Sequence, residues 1–182
     1  ELAIIKRTKY SGNLNNQKIS NPALKYLCIC QKIKKKMILP IEKGENNEFL
    51  RKKSLPVDKI DDRLLDLIKD MIQTMIKNDG VGLSACQVGH NLRIFVIEKG
   101  LAKKQVFINP EIVKVSKKIE TCDEGCLSFP GMFIKIPRAK SLKIKATDEN
   151  GKEFKIKAKG LCARAIQHEM EHLNGILLVD HE

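Results

Sequence analysis

No uninterrupted apolar run in this chain reaches the roughly 20 residues that a membrane-spanning helix needs, so no membrane span and no membrane partner are expected. No two cysteines stand as C-x2-C, which argues against a zinc ribbon and against a thioredoxin-like redox site. The six cysteines are too few for a disulfide scaffold at this length, and spacings such as Cys28-x-Cys30 and Cys122-x3-Cys126 form no compact framework. They read as reduced thiols. The glycine-rich segment Gly80-Val81-Gly82-Leu83-Ser84-Ala85-Cys86-Gln87 follows a helical pattern and misses the G-x-G-x-x-G spacing, so it is not a dinucleotide fingerprint. No Gly-Lys-Ser/Thr ends it, so it is not a P-loop either.

Acids are nearly missing from the first 40 residues, which hold nine Lys or Arg against Glu1 alone. That segment carries +8 of the chain's net +12, and residues 41–182 carry the remaining +4. The basic excess therefore belongs to a leader, residues 1–37, ahead of a mildly basic domain over residues 38–182. Three readings of the leader compete: part of an organelle transit segment, an arm for RNA or an anionic surface, or a plain solvated extension. At 182 residues and 42% hydrophobic content, the chain is enough for one domain with a substantial core.

Apolar residues at helical spacing predict an amphipathic helix over Asp58–Lys77, with Leu64, Leu65, Ile68, Met71, Ile72, Met75 and Ile76 on its buried side and Asp79-Gly80 closing it. Extended stretches are expected at Leu92–Ile97, Val106–Val115 and Met132–Ile136. The clearest hairpin joins Ser141–Asp148 to Lys152–Lys159 through Asn150-Gly151. Its apolar residues alternate with lysines, which reads as one buried face and one solvated face. A final helix is expected from Leu161 to about Asn174, with Gly175 at the position that ends it. The fold class is α+β, antiparallel strands packed around this central C-terminal helix.

On that helix lies His168-Glu169-Met170-Glu171-His172. Two histidines four apart project from one helical face and can bind one metal ion, and the Glu beside the first can act as general base. The bland reading is a pair of core histidines with Glu169 in a surface ion pair. A thermolysin-type ligand far downstream has no room in the ten residues that follow His172, and the metzincin third-histidine position is Leu178. A third ligand must come from upstream, and a cysteine thiolate is the natural candidate. Cys126 lies beside Gly125, between two extended stretches. Cys122 has no flanking glycine, Cys162 sits about 100° from the ligand face of the same helix, and His90 and His181 read as solvated.

Three segments in order resemble the peptide deformylases: Gly80-Val-Gly-Leu-Ser-Ala-Cys-Gln87, Glu124-Gly-Cys-Leu-Ser128 and Gln167-His-Glu-Met-Glu-His-Leu-Asn-Gly175. The resemblance covers roughly residues 50–180 and includes Ile136-Pro137-Arg138-Ala139. It implies a metal held by Cys126, His168 and His172, with Fe²⁺ in the cell and Zn²⁺ or Co²⁺ possible in preparations. It implies removal of the formyl group from formyl-methionyl nascent peptides, with water attacking the formyl carbon and Glu169 as general base. Gln87 and the Leu127 backbone N–H would hold the oxyanion. Val81 and Gly82 would pair with the peptide, and Gly125, Cys122, Leu161, Arg164 and Ala165 would border its methionine side chain. A transient ribosome contact and no specific nucleic acid follow as partners, and an organelle of a eukaryote, plastid or mitochondrion, is suggested over a bacterial cytoplasm. Ser84, Glu171 and Arg164 depart from the family pattern, which bears on substrate preference more than on chemistry. Two other readings stand beside this one. They are an HExxH metalloprotease, and a non-enzymatic ribosome- or RNA-binding protein with a structural metal site.

Overall fold

The computed structural model describes residues 37–182. The basic leader lies outside the described residues except for Met37, whose backbone N–H donates to Asp70 Oδ1 at 2.9 Å. A single helical turn, α1 (Glu48–Arg51), is capped by the Asn47 side chain. The long helix α2 covers Asp62–Lys77. It begins four residues later than its periodicity predicts, because the Asp61 carboxylate accepts from the Leu64 N–H at 3.0 Å and fixes the N-cap there. Val57, just before it, is held extended by Asn109, which exchanges two hydrogen bonds of 2.8 Å with its backbone. Leu64, Ile68, Met71 and Met75 are buried as the pattern requires, whereas Ile76 is exposed.

A five-stranded antiparallel sheet has the order β1-β2-β3-β6-β7. Its strands are β1 (Gly82–Ser84), β2 (Ile94–Ile97), β3 (Val106–Val115), β6 (Ser141–Thr147) and β7 (Glu153–Lys159). A separate two-stranded ribbon pairs β4 (Ile119–Cys126) with β5 (Phe129–Ala139). β4 was not anticipated, and its last residue is Cys126, so this cysteine ends a strand instead of lying between two. β5 is twice the predicted stretch and contains Pro137, which a two-stranded ribbon tolerates because one edge of each strand needs no donor.

The last helix, α3, runs Gly160–His172. Gly175 follows at φ +76°, and its N–H reaches the His172 carbonyl at 3.1 Å. A side chain there would strike the Arg51 carbonyl, so the position needs glycine twice over. α3 packs on one face of the sheet through Cys162, Ala163, Ile166 and Met170 against Phe95, Phe107, Leu142 and Ile144. α2 covers the other face at the β1–β3 end, through Leu64, Ile68 and Met71 against Ile94, Val96 and Ile108. β2 is thus buried on both faces, which is why Ile94-Phe95-Val96-Ile97 is apolar without alternation. A third cluster joins the ribbon to α1 and to the closing turn Leu178–His181, with Leu50, Cys126, Phe129, Ile136 and Leu178 inside it.

Candidate metal centre and active-site cleft

The four-residue spacing of His168 and His172 on α3 sets their rings edge to face with centroids 4.9 Å apart. Cys126 reaches them from the end of β4, where a register shift after Gly125 turns the strand. The Cys126 thiol, His168 and His172 present ligand atoms that all lie within 4.8 Å of one another. Cys126 Sγ is 3.2 Å from His172 Nε2. A tetrahedral ion with one thiolate and two imidazoles sets ligand atoms about 3.4–3.6 Å apart, so these residues fit a divalent metal. His172 is buried and its other nitrogen, Nδ1, has no hydrogen-bond partner among the described residues. Burial, and then the neighbouring His168, hold the His172 imidazole well below its ordinary pKa, in the neutral form that a ligand needs.

His168 Nδ1 faces Glu124 Oε2 at 3.2 Å, which leaves its other nitrogen for the site. Arg138 clamps Glu124 with two bonds of 3.0 Å and also binds Glu171 on α3 at 2.7 Å. Arg164 Nη1 adds a bond of 3.1 Å to Glu124, and Glu171 accepts from His181 at 3.0 Å. Burial alone would raise Glu124, but the bonds from His168 and Arg138 outweigh it and hold its carboxyl at about 2.

Glu169 is buried, not in a surface ion pair as its bland reading requires. The Ser84 hydroxyl donates to its Oε2 at 2.6 Å, and its Oε1 lies against the bare Cα of Gly82. Burial raises this carboxyl above the ordinary carboxylate range, which suits a group that must take up a proton near neutral pH. Gln87 is oriented by the Ser84 N–H, which donates to its Oε1 at 2.8 Å; its amide then points at Cys126 Sγ and Ser128 Oγ at 3.5 and 3.2 Å. These groups form the floor of a cleft of about 980 Å³. Val81, Gly82, Gly125, Leu127, Leu161, Arg164 and Ala165 line it. Cys122 does not; it is exposed on β4.

The sequence pattern of the family described as polypeptide deformylase matches residues 38–182. The chain is 52% identical over 138 residues to peptide deformylase 1 of Clostridium perfringens, an alignment covering 75% of this chain and 93% of that protein. The crystal structure of the Thermotoga maritima peptide deformylase superposes with a TM-score of 0.76 at 41% identity, covering 80% of this chain and 97% of that one. A plant peptide deformylase superposes with a TM-score of 0.74 at 42% identity, covering 79% and 80%. The chain belongs to the polypeptide deformylase family. It is a hydrolase of that family, with the α+β fold that the pattern of its strands and helices predicts.

The spacing on the last helix, the glycine beside Cys126 and the family resemblance point to the ligands, Glu169 and Gln87, but the contacts that orient them are not legible in the motifs. Ser84 and Glu169 are 85 residues apart in sequence, and their hydrogen bond is a product of β1 lying against α3. Arg138 stands within Ile136-Pro137-Arg138-Ala139, which the resemblance includes, but nothing there pairs it with Glu124 or Glu171. His181 read as solvated, yet it is half-buried against Glu171. His90 is exposed in its loop, and Cys162 belongs to the core between α3 and the sheet.

Proposed function

We propose that the chain removes the N-formyl group from formyl-methionine at the start of new polypeptides, releasing formate and a free amine. The observation that carries this is the buried Glu169 carboxylate beside the Cys126, His168 and His172 ligand set, at the floor of an open cleft. Cys126, His168 and His172 would hold one divalent ion, Fe²⁺ in the cell, with Zn²⁺ or Co²⁺ as substitutes in preparations. When bound, such an ion supplies Lewis-acid activation of water and of a carbonyl oxygen.

The rest of the chemistry belongs to the chain's own groups. Glu169 takes the proton of the attacking water at its carboxylate and returns it to the leaving nitrogen as the C–N bond breaks. The Gln87 amide and the Leu127 N–H stand as donors for the oxygen on which charge develops. β1 is an edge strand of the sheet, and Gly82 on it, with Val81 just before it, would pair with the peptide backbone as an added strand. Leu161, Arg164, Ala165 and Gly125 line the cleft, and Leu161 and Ala165 would border the methionine side chain. The thiol of Cys126 stands with the two histidines of the HExxH pair, which favours the deformylase reading over an HExxH protease. A closed structural metal site would leave Glu169 and Gln87 without a task.

A transient ribosome contact follows from the substrate, which exists only on new chains. The acid-poor leader supports an organellar setting, plastid or mitochondrion, and a plant enzyme is among the solved relatives. Fusing residues 1–37 to a fluorescent protein and following its import tests that setting. The decisive experiment for the activity is formate release from a formyl-methionyl tripeptide by protein purified without oxygen and loaded with Fe²⁺. Turnover that vanishes in Glu169→Ala while metal content stays supports the reading; a loaded protein that releases no formate overturns it.

A further inference from the structure

Alternating lysines on a hairpin are what any solvated sheet face would show, but the strand register adds something that alternation does not. Lys143 on β6 stands directly opposite Lys157 on β7 and Lys114 on β3, so three lysines form one row across three strands. Lys145 stands opposite Lys155 in the next row, and Lys159 opposite Ser141 at the end. Glu111 pairs with Lys145 at 2.8 Å. No ion pair to the other five lysines occurs among the described residues. Like charges directly opposite across strands oppose sheet formation, so a face that needed only solvation would mix signs.

The charge balance points the same way. Residues 37–182 hold 25 basic and 21 acidic side chains, a net of +4. This face holds six lysines against Glu111 and Glu153, also +4, so the remainder of the domain is electrically neutral. The whole net charge of the domain is gathered on the β3-β6-β7 face, turned away from α3. None of these lysines lines the cleft.

We propose that this lysine face docks on the phosphate backbone of RNA, holding the enzyme against the RNA-rich surface from which its substrate emerges. The choice of RNA rests on the deformylase reading; the cationic face itself does not. Flexible ammonium heads on a flat sheet suit sequence-independent phosphate contacts. No aromatic side chain stands among the lysines, and Ser141 and Thr147 lie at the two ends of the β6 row. A lipid-embedded face would carry large apolar anchors there.

The test compares the full chain with its Lys143→Glu/Lys157→Glu variant, so that residues 1–36 contribute equally to both, and repeats it with the Gln pair. Binding of a fluorescent RNA hairpin is titrated at increasing KCl, beside vesicles of phosphatidylcholine with phosphatidylserine. The variant is expected to bind RNA at least tenfold more weakly, with a log–log salt slope shallower by about 2. Formate release from a free tripeptide should be unchanged, which shows an intact fold and keeps this outcome separate from the activity itself. Equal RNA affinity of both proteins, no RNA binding by the native chain, or a loss confined to the vesicles would each overturn the proposal.

Discussion

Glu169 sits in a seat built by β1. Its Oε2 accepts from the Ser84 hydroxyl at 2.6 Å, and a Cβ added to Gly82 would fall 2.5 Å from its Oε1. Both contacts constrain the carboxylate that the mechanism asks to move a proton. Gly82→Ala is therefore expected to push the carboxylate out of position and to lower kcat about 100-fold, with bound metal per chain unchanged. Steady-state kinetics beside elemental analysis checks this, and metal loss in the variant would assign Gly82 a structural part instead. Ser84→Ala removes only the donor and should cost several-fold in kcat with little change in KM. In the sequence Ser84 is legible only as a departure from the family pattern; the packing of β1 on α3 brings its hydroxyl to the base.

Legibility of the elements follows the strength of their periodicity. The β6–β7 hairpin and α2 stood out because alternation at period 2 and at 3.6 survives wherever one face is buried and the other wet. β4 has no such pattern: in Ile119–Cys126 only Glu124 and Cys126 are buried, and one of them is a charge. The ligand at its end is therefore reached from the need for an upstream thiolate beside Gly125 and from family resemblance, not through any strand signal. What anchors that ligand is the cluster of Leu50, Phe129, Ile136, Leu177 and Leu178 around Cys126. Leu178→Ala opens a cavity in this cluster and is expected to cost about 2–4 kcal/mol, read as a lower urea midpoint. Because the cavity lies in the cluster that holds Cys126, metal affinity should fall as well. A variant equally destabilised on α2, Ile68→Ala, should keep its metal.

At the scale of the whole molecule, one largely buried network ties both strands of the β4–β5 ribbon to the metal helix and the closing turn. It runs from His168 through Glu124 on β4 and Arg138 on β5 to Glu171 on α3 and His181 at the chain's end. Arg138 compensates two carboxylates, and burial without it would leave both exposed to a low-dielectric surrounding. Arg138→Met is expected to cost about 3–5 kcal/mol. The same network sets the acid limit of the fold. The Glu124 carboxyl is held at about 2, below its ordinary 4.5, so its contribution is fully present above about pH 5 and drains away as pH falls toward 2. Thermal midpoints measured from pH 6 down to pH 2 should fall steeply in the native chain. In Glu124→Gln the group that titrates is gone, so the variant should start lower at pH 6 and lose less stability over the same range. Parallel curves for the two proteins would mean that other carboxylates set the acid limit and that the network serves orientation of His168 alone.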